Sequence, residues 1–443
     1  MYDYKDKLIN AEQLIDMVES DMNIYIGFGF CAPKVFMDNL HKAAARGVKN
    51  VAFECAVTPY YSEFMKAQYR ENFRIESFYQ TPALRMALKG GANLTYTPSA
   101  MTHAWKRAKR LEGKIDMYVI ATSMPDEHGY VSLSFDCMWS PSYVDRAKKV
   151  VFEMNPRFPR TMGDVQLPLS AADFVLEVDY PAPQLPDEPA SKADEKIGEI
   201  IAKNVNDGDC IQVGIGALPN MICHKLKDKK DLGIHTEMMT SGLYELLKCG
   251  AANNSKKNLH KGRTVACFVC GNQELYDYID DNPAFQCLSG DYTNDIRVVS
   301  QIDNFVSINS TLMVDFSGQA SSESVGLDQI SGTGGQLELC QAAQLSKGGR
   351  SFLCLHSTTA IKNKQTGEVK TVSNIVPTLS NFPTVSCMRM DTQYVVTEYG
   401  MVDMQGATFK ERTKGLIDIA HPDFRGELTK QALSMGYINE LDM

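Results

Sequence analysis

The feature that most constrains this chain is a motif that occurs twice: an apolar strand that runs into a Gly-x-Gly turn and a proline. The first copy reads Ile24-Tyr-Ile-Gly-Phe-Gly-Phe-Cys-Ala-Pro33, and the second reads Ile211-Gln-Val-Gly-Ile-Gly-Ala-Leu-Pro219. A helix-like segment and a polar break precede each copy. Glycines after a strand let backbone N–H groups approach a bulky anion without interference from a Cβ atom. The repeat therefore predicts two related α/β halves that face one site.

Length and composition narrow the class of protein. A chain of 443 residues is long enough for two domains. Its net charge of −9 argues against a general nucleic-acid surface. The N-terminus has no apolar signal core and no run of about 18 apolar residues occurs, so neither a leader nor a membrane span is predicted. We expect a soluble, cytoplasmic protein without nucleic-acid or membrane partners.

The domain boundary is predicted at residues 176–192, because this stretch holds four prolines that oppose regular structure. Strand-like and helix-like segments alternate on both sides of it, which is typical of βαβ units. We therefore expect an α/β protein of two similar open α/β domains, residues 1–185 and 193–443, with the active site at the domain interface. The predicted elements include strands at Asn50–Ala56, Leu232–Thr236 and Val265–Cys270 and a closing helix at Phe424–Ile438.

The twelve cysteines are scattered, and only Cys267 and Cys270 form a closely spaced pair. A zinc site would need a second such pair or suitably spaced histidines, and the sequence has neither. We therefore predict no metal site. Cysteines without a disulfide framework are typical of a reducing cytosol.

The second Gly-x-Gly turn departs from the dinucleotide-binding fingerprint, which needs a third glycine where this chain has Pro219. A proline can occupy the first position of a helix, so anion binding at a helix N-terminus survives the departure. The sequence therefore argues against an adenine-dinucleotide cofactor.

Glu237 is the sharpest candidate for a reactive side chain. It follows the predicted strand Leu232–Thr236, and ligands of open α/β sheets gather beyond the carboxyl ends of the strands. Between Ile234 and Met238 its carboxylate would be partly desolvated, which suits a nucleophile. The spacing is equally consistent with a surface glutamate in a loop. Glu54 occupies the analogous place in the first half, and local reasoning does not separate the two glutamates.

Two neighbouring features also allow two interpretations each. The turn Ser331–Gly335 holds three glycines, which is consistent with a common hairpin or with N–H groups that bind an oxyanion. His235 lies two residues before Glu237 and would share its face of the strand. We favour a hydrogen-bonded structural role for this histidine over that of a ligand or base.

Eight short motifs follow one another between residue 204 and the C-terminus: Gln212–Asn220, Gly233–Met238, Asp291–Asp295, Ser307–Asn309, Gly318–Glu323, Ser331–Gln336, Thr397–Gly400 and Ala420–Arg425. In this combination the chain resembles the family I coenzyme A transferases. Within them it is similar to the acetyl-CoA hydrolase/transferase branch, with its butyryl-CoA:acetate and 4-hydroxybutyrate CoA-transferases. Pro125–Tyr130 and Asn155–Arg160 match more loosely. The resemblance implies a NagB/RpiA-like CoA-transferase fold.

The resemblance also implies roles for individual residues. Glu237 would be the catalytic glutamate that forms a glutamyl-CoA thioester, and Gly335 would lie at the thioester and bind its oxyanion. The implied CoA-binding residues are Gly214, Ile215, Gly216, Ala217, Leu218, Leu312 and Gly335. Coenzyme A is then a substrate, and neither a metal nor a permanently bound cofactor is expected. One departure is Ala217, where turns of the family often carry glycine.

The implied reaction moves CoA from a short-chain acyl-CoA, such as butyryl-CoA, to acetate or another short carboxylate in ping-pong order. Gln212 would orient the incoming carboxylate, although a structural role is equally consistent. Lys362 is a candidate phosphate contact, and a solvated lysine is the simpler interpretation. The alternatives are an acyl-CoA hydrolase that uses the same glutamate, a 4-hydroxybutyrate CoA-transferase, and a noncatalytic nucleotide or CoA sensor.

The first Gly-x-Gly turn is predicted to shape the wall at which the acyl group and the acceptor acid are chosen. Phe28, Phe30 and Cys31 of that turn are the residues whose substitution would test the choice of acyl-chain length. The doubled domain leaves broad apolar surfaces, so we also expect a homodimer or homotetramer.

Overall fold

Two large sheets form the framework of the protein, and we call them the N-terminal sheet and the C-terminal sheet. The structure is a computed structural model that describes residues 4–103, 113–186, 188–362, 366–379, 384–439 and 441. In these residues no helix combines the length and the apolar character that a membrane crossing requires.

The N-terminal sheet has seven strands, all parallel to their neighbours. Met117–Thr122 is buried along its whole length, as the near-continuous apolar run of a parallel strand covered on both faces predicts. In spatial order the strands are Phe174–Glu177, Val150–Met154, Met117–Thr122, Asn23–Ile26, Val51–Glu54, Phe73–Ser77 and Leu94–Tyr96.

The C-terminal sheet has nine strands, and only the edge strand Gly400–Asp403 is antiparallel to its neighbour. In spatial order the strands are Gly400–Asp403, Tyr394–Thr397, Arg350–Cys354, Phe305–Ser310, Cys210–Val213, Gly233–Met239, Thr264–Val269, Phe285–Cys287 and Met162–Gly163. Four small sheets accompany the two large ones. Their strands are Met313–Asp315, Ala320–Ser321 and Ile375–Val376; Ser324–Val325 and Asp328–Gln329; Thr358–Lys362 and Val369–Ser373; and Tyr130–Ser132 and Gln166–Pro168.

The helices mostly connect successive strands, and several begin at a side-chain cap. Ser191 and Asp194 form a capping box at the start of Lys192–Asn204, and Thr240 caps Ser241–Lys248. The described α-helices are Ala11–Asp16, Lys34–Asn39, Lys42–Ala45, Pro82–Lys89, Ser140–Val144, Lys192–Asn204, Ala217–Lys225, Ser241–Lys248, Gln273–Ile279, Gly290–Thr293, Ile296–Val299, Gln336–Leu345, Phe409–Ile419 and Pro422–Ser434.

The two sheets share one strand order, which confirms the predicted fold class of two similar open α/β units. In each half the strand before the Gly-x-Gly turn comes first in the sequence and lies in the middle of the sheet. The second to fourth strands follow on one side, and the fifth to seventh follow on the other. Each half therefore has a topological switch point between its first and fifth strands, where open α/β sheets bind ligands.

Contacts between the halves bind them into one packed body. The N-terminal strand Met162–Gly163 pairs with Phe285–Cys287 at the edge of the C-terminal sheet. The N–H group of Cys137 donates to the carbonyl oxygen of Cys267 at 2.8 Å. The largest apolar core contains side chains of both sheets. The boundary between residues 185 and 193 stays a prediction.

Most predicted elements occur with shifted ends, and two shifts bear on the site. The strand predicted at Leu232–Thr236 runs from Gly233 to Met239, so Glu237 lies within the strand and not beyond it. The helix after the second turn begins at Ala217, which makes Pro219 its third residue and not its first. The predicted buried strand around Cys267 is confirmed at Thr264–Val269. The predicted strand Asn50–Ala56 appears as Val51–Glu54, and the predicted closing helix Phe424–Ile438 appears as Pro422–Ser434.

Candidate active site

A cavity of about 380 Å³ lies between the two halves, at the switch point of the C-terminal sheet. Its floor is formed where the strands Cys210–Val213 and Phe305–Ser310 end and by the side chain of Glu237 from Gly233–Met239. The loop Ser331–Gly335 closes one side, and three residues of the N-terminal half close another. The cavity therefore occupies the place where open α/β sheets bind ligands.

The Glu237 carboxylate faces this cavity beside the side chain of Asn294 and the backbone of Gly335. The side-chain amide of Asn294 donates to its Oε2 atom at 2.6 Å. The backbone of Gly335, at the end of the loop Ser331–Gly335, comes close to the same Oε2 atom. The carboxylate is thus held in orientation at the lining of the cavity.

Gly335 can approach so closely because it has no side chain. A Cβ atom on this residue would overlap both Oε2 of Glu237 and the amide nitrogen of Asn294. Gly335 is also the N-cap of the helix Gln336–Leu345. The unpaired N–H groups of a helix N-terminus favour negative charge, so charge that develops beside Glu237 meets a favourable field.

The pKa of Glu237 is raised to about 7, chiefly by burial and in addition by the nearby Glu338 carboxylate, while the Asn294 amide and the Gly335 backbone oppose the shift. Glu338 is itself buried and accepts hydrogen bonds from the backbone N–H (3.1 Å) and the hydroxyl of Thr102. Two desolvated carboxylates therefore lie close together at the junction of the halves, and the pKa of each is raised chiefly by burial.

The structure brings most of the predicted CoA-site residues to this cavity. Gln212, Gly214, Ile215, Leu312 and Gly335 all line it together with Glu237. Ile215 projects from the second Gly-x-Gly turn and is 44% exposed, which places it at the cavity mouth.

Three predicted residues of the same turn do not line the cavity. Ala217 faces a separate surface pocket of about 330 Å³ that also contains His224. Leu218 is buried in the core, and Gly216 has a φ of +112°, which serves the turn into the following helix. A role in binding CoA stays a prediction for all three.

The remaining polar candidates separate into structural and exposed groups. Gln212 is buried and donates to the Ser307 hydroxyl at 3.0 Å, so its amide is held in place at the cavity wall. His235 is fully buried and its Nε2 atom lies 2.8 Å from the carbonyl oxygen of Thr293. Burial lowers the pKa of His235 to about 3, so it stays neutral in a structural role. Lys362 is exposed on the hairpin strand Thr358–Lys362 and does not line the cavity.

The wall from the N-terminal half differs from the predicted one. Phe28, Phe30 and Cys31 are buried in the core and do not line the cavity. The ring of Phe28 packs behind the wall against Phe268, with centroids 4.9 Å apart. The N-terminal residues that do line the cavity are Val57, Tyr79 and Met101.

The structure also separates the two glutamates that sequence reasoning left equivalent. Glu54 ends its strand and is buried, and it accepts a hydrogen bond from the Tyr143 hydroxyl at 3.0 Å. It lines only a minute internal cavity of about 10 Å³. Glu237 alone of the two reaches the large cavity.

Sequence reasoning missed Asn294, Glu338 and Tyr79. Asn294 belongs to the short motif Asp291–Asp295, and Glu338 lies three residues after Gly335, so both lie in or next to segments that the sequence singled out. No local pattern marks Tyr79, because it reaches the site through the packing of the two halves.

The arrangement defines a class of protein. A carboxylate at the junction of two α/β halves, beside a backbone donor and a helix N-terminus, can attack a carbonyl carbon and form an acyl intermediate without a general base. This geometry fits an acyl-transfer enzyme with a carboxylate nucleophile.

Comparison with known proteins places the chain in a family. Residues 1–186 match the acetyl-CoA hydrolase/transferase N-terminal domain, and residues 271–432 match the acetyl-CoA hydrolase/transferase C-terminal domain. The chain therefore belongs to this family and is an enzyme of the CoA-transferase type.

Curated relatives carry CoA-transferase names. The 4-hydroxybutyrate coenzyme A transferase of Clostridium kluyveri is 35% identical over 97% of each chain. The succinyl-CoA:cyclohexane-1-carboxylate CoA transferase of Geobacter metallireducens is 42% identical over 76% of this chain and 75% of its own. The butyryl-CoA:acetate CoA-transferase of Anaerostipes caccae is 34% identical over 97% of this chain and 96% of its own.

Solved structures show the same fold. RipA from Yersinia pestis superposes with a TM-score of 0.90 at 34% identity, over 98% of this chain and 99% of its own. A 4-hydroxybutyrate CoA-transferase from Porphyromonas gingivalis superposes with a TM-score of 0.80 at 29% identity, over 98% of both chains.

Proposed function

We propose that this enzyme transfers CoA from a short-chain acyl-CoA, such as butyryl-CoA, to acetate or another short carboxylate through a covalent intermediate on Glu237. The observation that carries the proposal is the Glu237 carboxylate itself, held by Asn294 at 2.6 Å and faced by the backbone of Gly335 in a cavity between the halves. The names of the relatives support the substrate class.

The first half-reaction begins when the Glu237 carboxylate attacks the thioester carbonyl. The carbon–sulfur bond breaks, CoA leaves as a thiolate, and an acyl-glutamyl anhydride remains. The thiolate then attacks the glutamyl carbonyl and breaks the anhydride bond. The first acid leaves as a carboxylate, and Glu237 is left as a glutamyl-CoA thioester.

The second half-reaction reverses these steps with another acid. The incoming carboxylate attacks the glutamyl-CoA thioester and forms a new anhydride and CoA thiolate. The thiolate attacks the acyl carbonyl, which gives the new acyl-CoA and restores the Glu237 carboxylate. Both acids enter and leave as anions, so no net proton is transferred and the reaction needs no general base.

The surroundings of Glu237 suit each tetrahedral intermediate. The Gly335 N–H group and the N-terminus of the helix Gln336–Leu345 are available to the oxyanion, and one such donor contributes roughly 3–4 kcal/mol to transition-state stabilisation. Desolvation, which raises the pKa of Glu237 to about 7, also makes the carboxylate a stronger nucleophile than one in water.

The other cavity walls suit an apolar acyl chain and the pantetheine arm. Apolar side chains from both halves line the space beside Glu237: Val57, Met101, Met238, Phe268 and Leu339. Gly214 and the exposed Ile215 lie at the mouth, where the long CoA molecule would enter. Binding energy from these remote contacts can align the thioester with the carboxylate.

The covalent step is tested by trapping. The enzyme is incubated with butyryl-CoA without acceptor, treated with borohydride or hydroxylamine, and the modified peptide is mapped by mass spectrometry. We expect the label on Glu237 and its absence from Glu237→Ala. A label elsewhere, or full turnover by Glu237→Ala, would contradict the proposal.

The transferase and hydrolase activities are separated by the acceptor. We expect butyryl-CoA to be consumed rapidly only when acetate is present, with acetyl-CoA as the product. Equal consumption with and without acetate, and free CoA as the product, would support the acyl-CoA hydrolase instead. 4-Hydroxybutyrate as the acid tests the third candidate in the same assay.

A further inference from the structure

We propose that Glu323 is a positioning residue that holds the loop Ser331–Gly335 in the conformation that aims the Gly335 N–H group at the reacting carbonyl. The inference rests on the proposed function, since it concerns the oxyanion formed at Glu237. Glu323 does not line the cavity and would not touch the substrate.

The Glu323 carboxylate is the centre of a buried hydrogen-bond cluster. Only 5% of the residue is exposed. Its oxygens accept from the Ser386 hydroxyl at 2.9 Å, the Tyr96 hydroxyl at 3.0 Å and the Gln329 amide at 3.1 Å. The Thr333 hydroxyl lies 3.3 Å from both oxygens. Every hydrogen-bond partner of this carboxylate among the described residues is an uncharged donor.

The main chain of Glu323 holds the start of the same loop. Its carbonyl oxygen accepts from the N–H groups of Ile330 at 2.9 Å and Ser331 at 3.3 Å. Side chain and backbone together therefore fix the loop at its first residue and, through Thr333, at its middle. The next residues of the loop are Gly334 and Gly335, whose backbone faces Glu237.

The N-terminal half clamps the loop from its other side. Arg85 donates to the carbonyl oxygen of Ile330, and a Cβ atom at Gly332 would overlap the carbonyl oxygen of Phe78. Tyr96, a partner of Glu323, belongs to the edge strand of the N-terminal sheet. The loop thus depends on contacts with both halves. Glu323 links the halves here, because its carboxylate binds both Tyr96 of the N-terminal half and Thr333 of the loop.

Such fixation matters because the loop is rich in glycine, which leaves many backbone conformations accessible to it. Gly334 adopts a φ of +58°, which glycine tolerates but does not enforce. An oxyanion donor is effective only if it is already aimed when the charge develops. Four side-chain hydrogen bonds to one carboxylate fix the positions of the donor side chains relative to one another. They also satisfy the buried oxygens without a cationic partner in the cluster.

The test compares two substitutions of Thr333 that differ in one group. Thr333→Val keeps the shape and removes the hydroxyl, whereas Thr333→Ser keeps the hydroxyl. We expect Thr333→Val to lower kcat for butyryl-CoA:acetate transfer about tenfold and Glu323→Gln to lower it about 100-fold, with KM for butyryl-CoA within about twofold. Thr333→Ser keeps the donor and should recover most of the kcat that Thr333→Val loses.

Single-turnover formation of the Glu237 thioester gives the decisive readout. It should slow in Thr333→Val and Glu323→Gln as much as kcat does, while the CoA dissociation constant by calorimetry stays unchanged. The inference is overturned if both variants keep kcat within about twofold, if Thr333→Ser is as impaired as Thr333→Val, or if the loss lies in KM or CoA binding. Should Glu323→Gln fail to fold, the Thr333 pair decides the matter alone.

A parallel measurement on Glu237→Ala distinguishes this inference from the proposed function. If Glu237→Ala keeps its turnover, the covalent mechanism fails and the role of Glu323 fails with it. If Glu237→Ala is inactive and the Thr333 and Glu323 variants are unimpaired, only the role of Glu323 is refuted.

Discussion

The two Gly-x-Gly turns occupy the same place in two sheets of the same strand order, but they differ in what their N–H groups meet. In the first turn the N–H group of Phe28 donates to the Asp136 carboxylate at 2.9 Å. The N–H groups of Val35 and Phe36, at the start of the next helix, donate to the Glu153 carboxylate at 3.1 and 3.0 Å. The first turn is therefore filled by carboxylates of the chain itself.

The second turn is open. Gly214 and Ile215 line the cavity, and Ile215 is 44% exposed. Among the described residues no side chain accepts a hydrogen bond from the N–H groups of residues 214–217. The same backbone motif thus stabilises the core in one half and borders the candidate active site in the other.

The difference teaches that a repeated motif does not imply a repeated site. In both halves the turn presents N–H groups to negative charge. In the N-terminal half two buried carboxyl groups of the chain already accept these hydrogen bonds, so a ligand has no place there. In the C-terminal half the place stays available, and Glu237, which faces the cavity, lies on the neighbouring strand.

The largest expected effect contrasts the two glutamates of the second strands. Glu237→Ala should lower kcat about 10⁴-fold or more, because the covalent route is lost. Glu54→Gln, as the matched change in the first half, should leave kcat within about threefold, because Glu54 does not reach the large cavity. Steady-state butyryl-CoA:acetate transfer measures both. Comparable losses of kcat in the two variants would contradict the assignment of Glu237, and not Glu54, to the reaction.

The next contrast concerns the first glycine of each turn. A Cβ atom at Gly27 would overlap the Cys31 carbonyl oxygen and the Ile120 side chain, so Gly27→Ala should lower the free energy of unfolding by about 2 kcal/mol. At Gly214 the nearest atom, in Pro219, is 3.8 Å away. Gly214→Ala should therefore leave stability nearly unchanged.

The added methyl group at Gly214 stands at the cavity border, so it should raise KM for acyl-CoA about tenfold, or roughly 1.4 kcal/mol. Denaturant unfolding and steady-state kinetics on the two variants provide the comparison. A stable Gly27→Ala, or an unstable Gly214→Ala, would reverse the assignment of scaffold and site.

The pH dependence of kcat/KM tests whether the C-terminal half carries a titrating nucleophile. Burial raises the pKa of Glu237 to about 7, and only the carboxylate attacks, so kcat/KM should rise with pH and level off above about 7. The Glu338→Gln substitution removes a neighbouring carboxylate that raises the pKa of Glu237, so the rise of kcat/KM should shift to lower pH. A flat profile between about pH 5 and 8 would exclude Glu237 as the titrating group.

The same titration affects stability in the opposite direction. Because the pKa of Glu237 is raised from its ordinary value of 4.5, the folded protein binds more protons than the unfolded chain between about 4.5 and 7. The contribution of Glu237 to the free energy of unfolding therefore falls as pH rises through this window. Glu237→Gln should stabilise the protein above pH 7 and have little effect below pH 4.5, as pH-dependent thermal unfolding would reveal.

The smallest expected effect concerns the choice of acyl chain. Met101 lines the cavity, whereas Phe30 packs in the core against Phe135. Met101→Ala should raise the ratio of kcat/KM for hexanoyl-CoA to that for butyryl-CoA about threefold, because the wall recedes. Phe30→Leu should leave that ratio unchanged. The opposite pattern would restore the first turn as the wall of the acyl site.

Much of this organisation was predictable from local sequence. Alternating apolar and polar segments gave the strands of both halves. Local reasoning left Glu237 and the glycine loop with two interpretations each, and the resemblance to the CoA-transferase family singled out Glu237 and Gly335. The strand end at Glu237 was wrong by three residues, because burial in the sheet extends the strand to Met239. The first-turn wall was also wrong, because the side chain of Phe28 turns into the core.

The sequence by itself determined that the chain has two α/β halves, each with a glycine turn after its first strand, and that each half has a glutamate on its second strand. Only the tertiary structure decided which turn is filled and which glutamate faces the cavity between the halves. The deciding contacts join residues far apart in the chain: Glu153 lies 118 residues from Val35, and Asn294 lies 57 residues from Glu237. Local patterns record propensity and burial, and they carry no information about which distant side chain will meet a given N–H group or carboxylate once the halves pack together.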